Sequence, residues 1–387
     1  MIKRRQFITL AGCAGLTALS GCAPVREKSS PEAPLTDQAQ EKNRFPIVLS
    51  SNENPLGPCP EAMEAAVGAV RSSSSLYARE ERDRLTRDLA GFYDLDQREV
   101  LLGCGAIELL KIATDSFCSP RKPPVISAPV YEAIDYYAGL RYIIPEKIPA
   151  NPDNAGHDLL KMLEASYTHQ SLIYVCNPCN PTGTLIDKKT MTEFLKHVPD
   201  EVVVVVDEAY AEYVGPGFFS CIDLVRSGTP NLLVIRTFSK IYGLAGLRVG
   251  YCAGNEELIR FMSGHRLWNN INQAGLAAAG ASLHNQYWVE KARRENEGVK
   301  KYFCAGLDAA GIDYIPSRAS FILVSTGKTW EETHSFLRLR GGVVAGRHIP
   351  AMAGYIRISL GSMEDMEHVL SLLSDFQSMG RTVSKKD

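Results

Sequence analysis

The sequence contains no run of 18 apolar residues, so nothing in it reads as a membrane-spanning helix. Neither charge is in excess: 42 Lys and Arg stand against 44 Asp and Glu, a formal net charge of -2 with a pI near 6.5. That balance removes the electrostatic footprint of a nucleic-acid binder and leaves a small molecule as the default partner. No segment repeats, which sets solenoids and propellers aside. Among ten cysteines, the C-x-x-C of Cys176-Asn177-Pro178-Cys179 has no second pair or nearby histidine to complete a zinc site, and no metal is expected.

What is present is enough for a large core. With 387 residues, 45% hydrophobic and 22% charged, two packed domains are expected. Apolar strand-like runs alternate with helical stretches. The runs are Val100–Leu102, Val125–Ser127, Leu172–Cys176, Val202–Val206, Leu232–Ile235 and Val249–Ala253, and helical periodicity over 79–93 places Leu85, Leu89 and Phe92 on one face. This alternation predicts an α/β doubly wound fold with its ligand at the carboxyl ends of the strands. Residues 272–310 read as largely helical and lead into a small C-terminal domain, with strands expected at 320–324, 342–347 and 355–361.

The N-terminus reads as a leader. Lys3-Arg4-Arg5-Gln6-Phe7 precedes an apolar run ending at Leu19-Ser20-Gly21-Cys22. A positive segment, a short apolar segment and small residues in that order predict a signal peptide over 1–22. The paired arginines point to the twin-arginine route, and Leu-Ser-Gly-Cys resembles the bacterial lipoprotein box, with Cys22 as the lipidated residue. A disordered tail with a chance Arg-Arg is the alternative, and would leave the protein in the cytoplasm. Residues 23–45, rich in Pro, Ser, Glu, Lys and Gln, read as a tether. Export permits disulfides, although most of the eight cysteines after Cys22 are expected to be buried small hydrophobes.

The chemistry centres on Thr237-Phe238-Ser239-Lys240-Ile241-Tyr242-Gly243, with Arg248 eight positions beyond Lys240. A lysine amine attacks a carbonyl once deprotonated, forming a Schiff base, which implies an aldehyde cofactor. Thr237, Ser239 and Arg248 offer two hydroxyls and a guanidinium to a phosphate. By itself a Ser-Lys pair is usually a solvated surface lysine beside a turn. Asp207, delivered by the five-valine strand, is either a helix N-cap or a carboxylate pushed into the crevice, where burial demands a cationic partner. The turn Gly103-Cys104-Gly105-Ala106-Ile107 is an ordinary strand-to-helix turn or an anion cradle.

The whole string 237–248 resembles the cofactor-lysine motif of the fold-type I pyridoxal-phosphate aminotransferases, in the histidinol-phosphate aminotransferase-like branch, and the resemblance covers residues 46–375. It implies a large cofactor domain over 76–275 with a mostly parallel sheet, a small α+β domain over 276–387, and an N-terminal arm over 46–75 that crosses the active-site mouth. By the same resemblance Lys240 is the cofactor lysine, Asp207 partners the pyridine nitrogen, and Tyr210 and Asn180, within Asn177-Pro178-Cys179-Asn180-Pro181-Thr182-Gly183, bond the phenolic oxygen. Tyr131 stacks on the ring, and Gly105, Ala106, Ile107, Thr237, Ser239 and Arg248 surround the phosphate. Tyr77 reaches across a homodimer to the neighbouring phosphate. Arg357 clamps the substrate carboxylate, assisted by Arg347 and, in the arm, Asn54. Where the family carries a serine and an acidic residue, this chain has Ala106 and Ile107, so the phosphate relies more on backbone donors.

The expected activity is transfer of an amino group from an amino acid or related amine to a 2-oxo acid. An amino-acid decarboxylase of the same branch, or a lipid-anchored binding protein without turnover, are the other readings. Contact with a membrane is expected only through a lipid on Cys22.

Overall fold

Five consecutive valines have no polar side to turn outward, so a strand made of them must be covered on both faces. In the computed structural model, which describes residues 46–168 and 171–383, they are. The expected leader, Cys22 and the tether lie outside the described residues.

Twelve strands occur among the described residues: β1 (Ile47–Leu49), β2 (Val100–Gly103), β3 (Pro124–Ala128), β4 (Glu146–Pro149), β5 (Leu172–Cys176), β6 (Val203–Asp207), β7 (Leu232–Thr237), β8 (Gly250–Gly254), β9 (Tyr314–Ile315), β10 (Phe321–Ser325), β11 (Val343–Ala345) and β12 (Tyr355–Ser359). Seven form one sheet in the order β2-β8-β7-β6-β5-β3-β4. The run from β7 to β4 is parallel, while β8 lies antiparallel to both β7 and β2. The doubly wound α/β expectation is met, with β8 as the one reversed strand.

The period-2 geometry of β6 feeds two cores. Val204 and Val206 join one cluster with Ile173, Val175, Leu232 and Val234. Val203 and Val205 join another with Leu172, Tyr174, Leu233 and Ile235. Each buried valine contributes roughly 1.5 kcal/mol or more by the area it removes from water. Helices Ala106–Phe117 and Ala133–Gly139 cover the second face through Leu109, Leu110 and Ile134. Helix Arg79–Tyr93 covers the first through Leu85 and Leu89. Phe92, expected on that same face, is instead 45% exposed and stands edge-on to Tyr93; Tyr93, four residues after Leu89, continues the buried stripe in its place and reaches Tyr251 of β8.

A three-stranded sheet, β12-β10-β9, carries a third core with helices Gln286–Ala310, Trp330–Gly341 and Met363–Val383. The helical stretch expected over 272–310 is two helices, Gln273–His284 and Gln286–Ala310. They part at Asn285, whose side chain accepts from Trp288 N and so caps the second helix. The arm is tied to this end of the chain. Its strand β1 pairs in parallel with β11, and Leu49 enters the third core.

Six of the eight cysteines in the described residues are buried and all eight are free thiols, as expected of small hydrophobes. No group of three or more candidate metal ligands occurs among the described residues.

Candidate active site

The carboxyl ends of β3, β5, β6 and β7 open into a cavity of about 720 Å³. Each strand delivers one element of chemistry there, as expected where parallel strands end without a covering helix. Asp207 is the last residue of β6 and is 3% exposed. Its Oδ2 accepts from Tyr174 Oη at 2.9 Å and its Oδ1 from Ala209 N at 3.0 Å. Burial raises its pKa to about 6, against the pull of those two hydrogen bonds and of Lys240. A buried carboxylate with two neutral donors and no cation in contact is suited to a positively charged ligand atom.

Lys240 stands three residues past β7. Its Nζ donates to Ser51 O at 2.7 Å and lies 5.8 Å from the centroid of the Tyr210 ring. Part of the side chain stays open to the cavity, yet burial first, and the Arg357 charge second, bring the amine down to about 8. The neutral amine needed for attack on a carbonyl is therefore accessible near neutral pH.

At the next corner, Gly105 (φ +77°) turns the chain from β2 into helix Ala106–Phe117. A Cβ there would run into Arg248 Nη2 and displace the guanidinium, and the positive φ itself favours glycine. Arg248 Nη1 donates to Ser239 Oγ at 3.3 Å and to Ala245 O at 2.7 Å. Ala106, Ile107, Ser239, Thr237 and Arg248 line one wall. The free N–H groups of the helix start, the serine hydroxyl and the guanidinium make an anion site. The Thr237 hydroxyl is engaged with backbone, accepting from Ser239 N at 3.0 Å and donating to Val249 O at 3.5 Å. It shapes the turn that presents Ser239.

Arg357 lines another part of the cavity. Arg357 Nη1 donates to Asn180 Oδ1 and Nη2 to Ser50 O, both at 2.6 Å, while its Nε is buried without a partner. Burial lowers its pKa from the free guanidinium value. With Oδ1 occupied by Arg357, Asn180 has its amide N–H groups left to donate to the cavity. Tyr131 lines the same wall, with burial raising its phenol to about 12. At the mouth Arg347 pairs with Glu132, and Lys147 with Asp135 at 2.7 Å.

The cavity therefore gathers Ala106, Ile107, Tyr131, Asn180, Asp207, Tyr210, Thr237, Ser239, Lys240, Arg248, Arg347 and Arg357. Gly105 stands behind the wall. Tyr77 does not line the cavity and is 81% exposed. Asn54 also lies outside the lining: its Nδ2 donates to Ile241 O at 2.7 Å and its Oδ1 accepts from Leu56 N at 3.1 Å, so its amide holds the arm to the lysine loop. Three participants carry no local signal in the sequence. Tyr174 looks like an apolar strand residue, Asn52 like part of a loop, and Ser359 like a strand end. Only the spacing of two from Arg357, which puts both side chains on one face of β12, could have pointed to Ser359.

The donor set fits pyridoxal phosphate: an amine, an acid of raised pKa, a helix-start anion site and a guanidinium on the cavity wall. The chain matches the sequence profile of Aminotransferase class I and II over residues 46–373. It is 34% identical over 330 residues to the histidinol-phosphate aminotransferase of Moorella thermoacetica, covering 85% of each chain. To that of Bacillus licheniformis it is 34% identical over 348 residues, covering 89% of this chain and 95% of the other. In fold it resembles the histidinol-phosphate aminotransferase of Sinorhizobium meliloti, solved with pyridoxal-5'-phosphate, at a TM-score of 0.80 and 24% identity over 87% of this chain and 91% of that one. With that cavity, and with a family match running through all three sheets, the chain belongs to the class I and II aminotransferases and is a pyridoxal-phosphate-dependent transaminase.

Proposed function

We propose that the enzyme draws its amino group from an amine carrying an anionic group, either the phosphate of a compound such as histidinol phosphate or the carboxylate of an ordinary amino acid; histidinol, which carries neither, is the alternative that would make no use of the guanidinium. The observation that carries this reading is the placing of Arg357 on the same cavity as Lys240 and Asp207, with each terminal nitrogen giving one N–H to Asn180 or Ser50 and keeping a second to donate. A planar fork suits a carboxylate, and a phosphate equally.

Pyridoxal phosphate, when bound, supplies an aldehyde for the amine and an electron sink for the carbanion formed at the substrate α-carbon. Asp207 would hold the proton on the ring nitrogen. Tyr210 and Asn180 would donate to the ring oxygen. The phosphate would take the N–H groups of Ala106 and Ile107, the Ser239 hydroxyl and Arg248. Lys240 takes the proton from the substrate α-carbon as general base and returns it as general acid, which an amine near pKa 8 does efficiently. Arg357 holds the substrate so that this one C–H bond faces Lys240.

The reading extends to a homodimer in which Tyr77 reaches the neighbouring subunit's cofactor phosphate. The exposed Met63, Val67 and Val70 stripe on helix Pro60–Ser73, beside Leu76 and Tyr77, supports it. It extends also to export by the twin-arginine route with a lipid on Cys22. An exported enzyme would meet phosphate-free amines more readily than a phosphorylated intermediate of the cytosol.

The test is the absorption spectrum of the purified protein with a panel of amino donors, followed by product analysis. Conversion of the cofactor band by one donor, with a 2-oxo acid or aldehyde released, supports transfer. Release of carbon dioxide instead would establish a decarboxylase. Sedimentation of wild type and Tyr77→Ala, and cell fractionation of Arg4→Lys with Arg5→Lys, test the assembly and the route.

A further inference from the structure

Asn52 is 1% exposed in the arm and has a φ of 55°, a left-handed conformation that asparagine tolerates better than most residues. Three hydrogen bonds hold it. Its backbone N–H donates to Ser359 Oγ at 2.9 Å, Ser359 Oγ donates to Asn52 Oδ1 at 2.7 Å, and Asn52 Nδ2 donates to Tyr210 Oη at 2.8 Å. The three bonds run in one direction. The serine oxygen accepts from the backbone N–H and sends its own proton to Asn52 Oδ1, and with Oδ1 so engaged Nδ2 faces Tyr210. An amide nitrogen has no lone pair to offer, so the tyrosine oxygen accepts. Its own proton has no acceptor among the described residues and is left to point into the cavity that Tyr210 lines.

We propose that Asn52 and Ser359 are positioning residues that set the direction of the Tyr210 hydroxyl proton, so that Tyr210 donates to the ring oxygen of bound pyridoxal phosphate. The inference rests on the reading of the cavity as the cofactor site. It gives the arm a part in the chemistry: residues 50–52 meet one face of β12 at two points, Ser50 O on Arg357 and Asn52 on Ser359. Burial raises the Tyr210 phenol above its ordinary value, so the hydroxyl keeps the proton it is to donate.

The experiment follows the pH at which the visible absorption of the bound cofactor changes, in holoenzyme carrying Tyr210→Phe, Asn52→Asp, Ser359→Ala, and each of the latter two combined with Tyr210→Phe. A donor to the ring oxygen lowers the basicity of the site. Tyr210→Phe is therefore expected to move the transition to higher pH by about 0.5–1 unit, the span of a single hydrogen bond. Asn52→Asp gives the tyrosine proton an acceptor inside the protein and is expected to move it the same way. Ser359→Ala lets the amide turn over and should give a smaller shift. Neither should add to the shift of Tyr210→Phe. If Tyr210→Phe moves the transition and Asn52→Asp and Ser359→Ala do not, or if their shifts persist in the phenylalanine background, the positioning role is overturned. If Tyr210→Phe itself leaves the transition unmoved, the assignment of Tyr210 to the ring oxygen fails instead. Should Asn52→Asp not fold, Ser359→Ala with its double variant decides alone.

Discussion

Tyr174 Oη lies 2.9 Å from Asp207 Oδ2, a hydrogen bond between two buried side chains on adjacent parallel strands β5 and β6. A donor to a carboxylate favours its charged form, and this one acts against the burial that raises Asp207 to about 6. Tyr174→Phe is expected to raise Asp207 further and weaken pyridoxal phosphate binding by about tenfold, as loss of a charge-assisted hydrogen bond of ~1.5 kcal/mol implies. Equilibrium titration of the cofactor-free enzyme with the cofactor at pH 7 measures it. An unchanged affinity would separate Tyr174 from the function of Asp207.

Asp207 and Lys240 act on stability in different pH windows. Asp207 titrates near 6 in the folded chain against 3.8 in the reference state. The native state thus holds the additional proton between those values, and stability falls as pH rises from about 4 to about 6. The loss is on the order of 2–3 kcal/mol for a fully buried group. Lys240 is lowered from 10.5 to about 8, so the unfolded chain binds the extra proton there and this group adds stability as pH rises from about 8 to 10.5. In denaturant unfolding of cofactor-free protein, the stability of Asp207→Asn relative to wild type should rise between pH 4 and 6, a difference in which the opposite slope of the buried His157, lowered to about 4, cancels. The alkaline slope should be reduced in Lys240→Met. Identical slopes in wild type and variants would refute the assignment.

Gly105→Ala places a Cβ 2.4 Å from Arg248 Nη2 at a backbone φ of +77°. The strained backbone costs about 1–3 kcal/mol and the guanidinium must move. Cofactor affinity is expected to fall by at least about tenfold, with inorganic phosphate becoming a poorer competitor for the site. Unaltered affinity would mean that the anion site does not depend on Arg248.

Arg357→Lys keeps the charge and loses the fork that reaches Asn180 and Ser50 together. The KM for a carboxylate substrate should rise about tenfold or more, with a smaller change in kcat, because Lys240 and Asp207 are untouched. Lys240→Ala, in contrast, should abolish turnover while leaving cofactor binding through Arg248 and Ser239 measurable. Full activity in Lys240→Ala would remove the lysine from the mechanism.

Much of the site could be read from local sequence because its groups sit at the ends of strongly patterned strands. A run of valines has to be a two-sided strand, so the acid that ends it must emerge at the edge of the sheet, and Asp207 does. The lysine loop follows an equally apolar strand. Arg357, alone among apolar neighbours in β12, stands out for the same reason. Thr237 and Asn54 show the limit. Both have the right residue type near the right motif, yet one hydroxyl is taken by the turn backbone and one amide by Ile241 and Leu56. Competition for a hydrogen-bonding group is decided by what lies within 3.5 Å, which residue order does not reveal.

The sequence by itself determined nine of the twelve described strands, the doubly wound sheet, the lysine, the acid and the glycine turn, since periodicity and backbone permissiveness are local properties; β1, β4 and β9, two to four residues each, are too short to carry a pattern. Only the tertiary structure decided which groups share a hydrogen bond. Asn52 meets Tyr210 across 158 residues and Ser359 across 307, and Arg357 meets Ser50 across 307. Contacts so distant in the chain exist only once the two sheets and the arm have packed, because their geometry is set by the summed burial of three cores and by no pattern in the segments themselves.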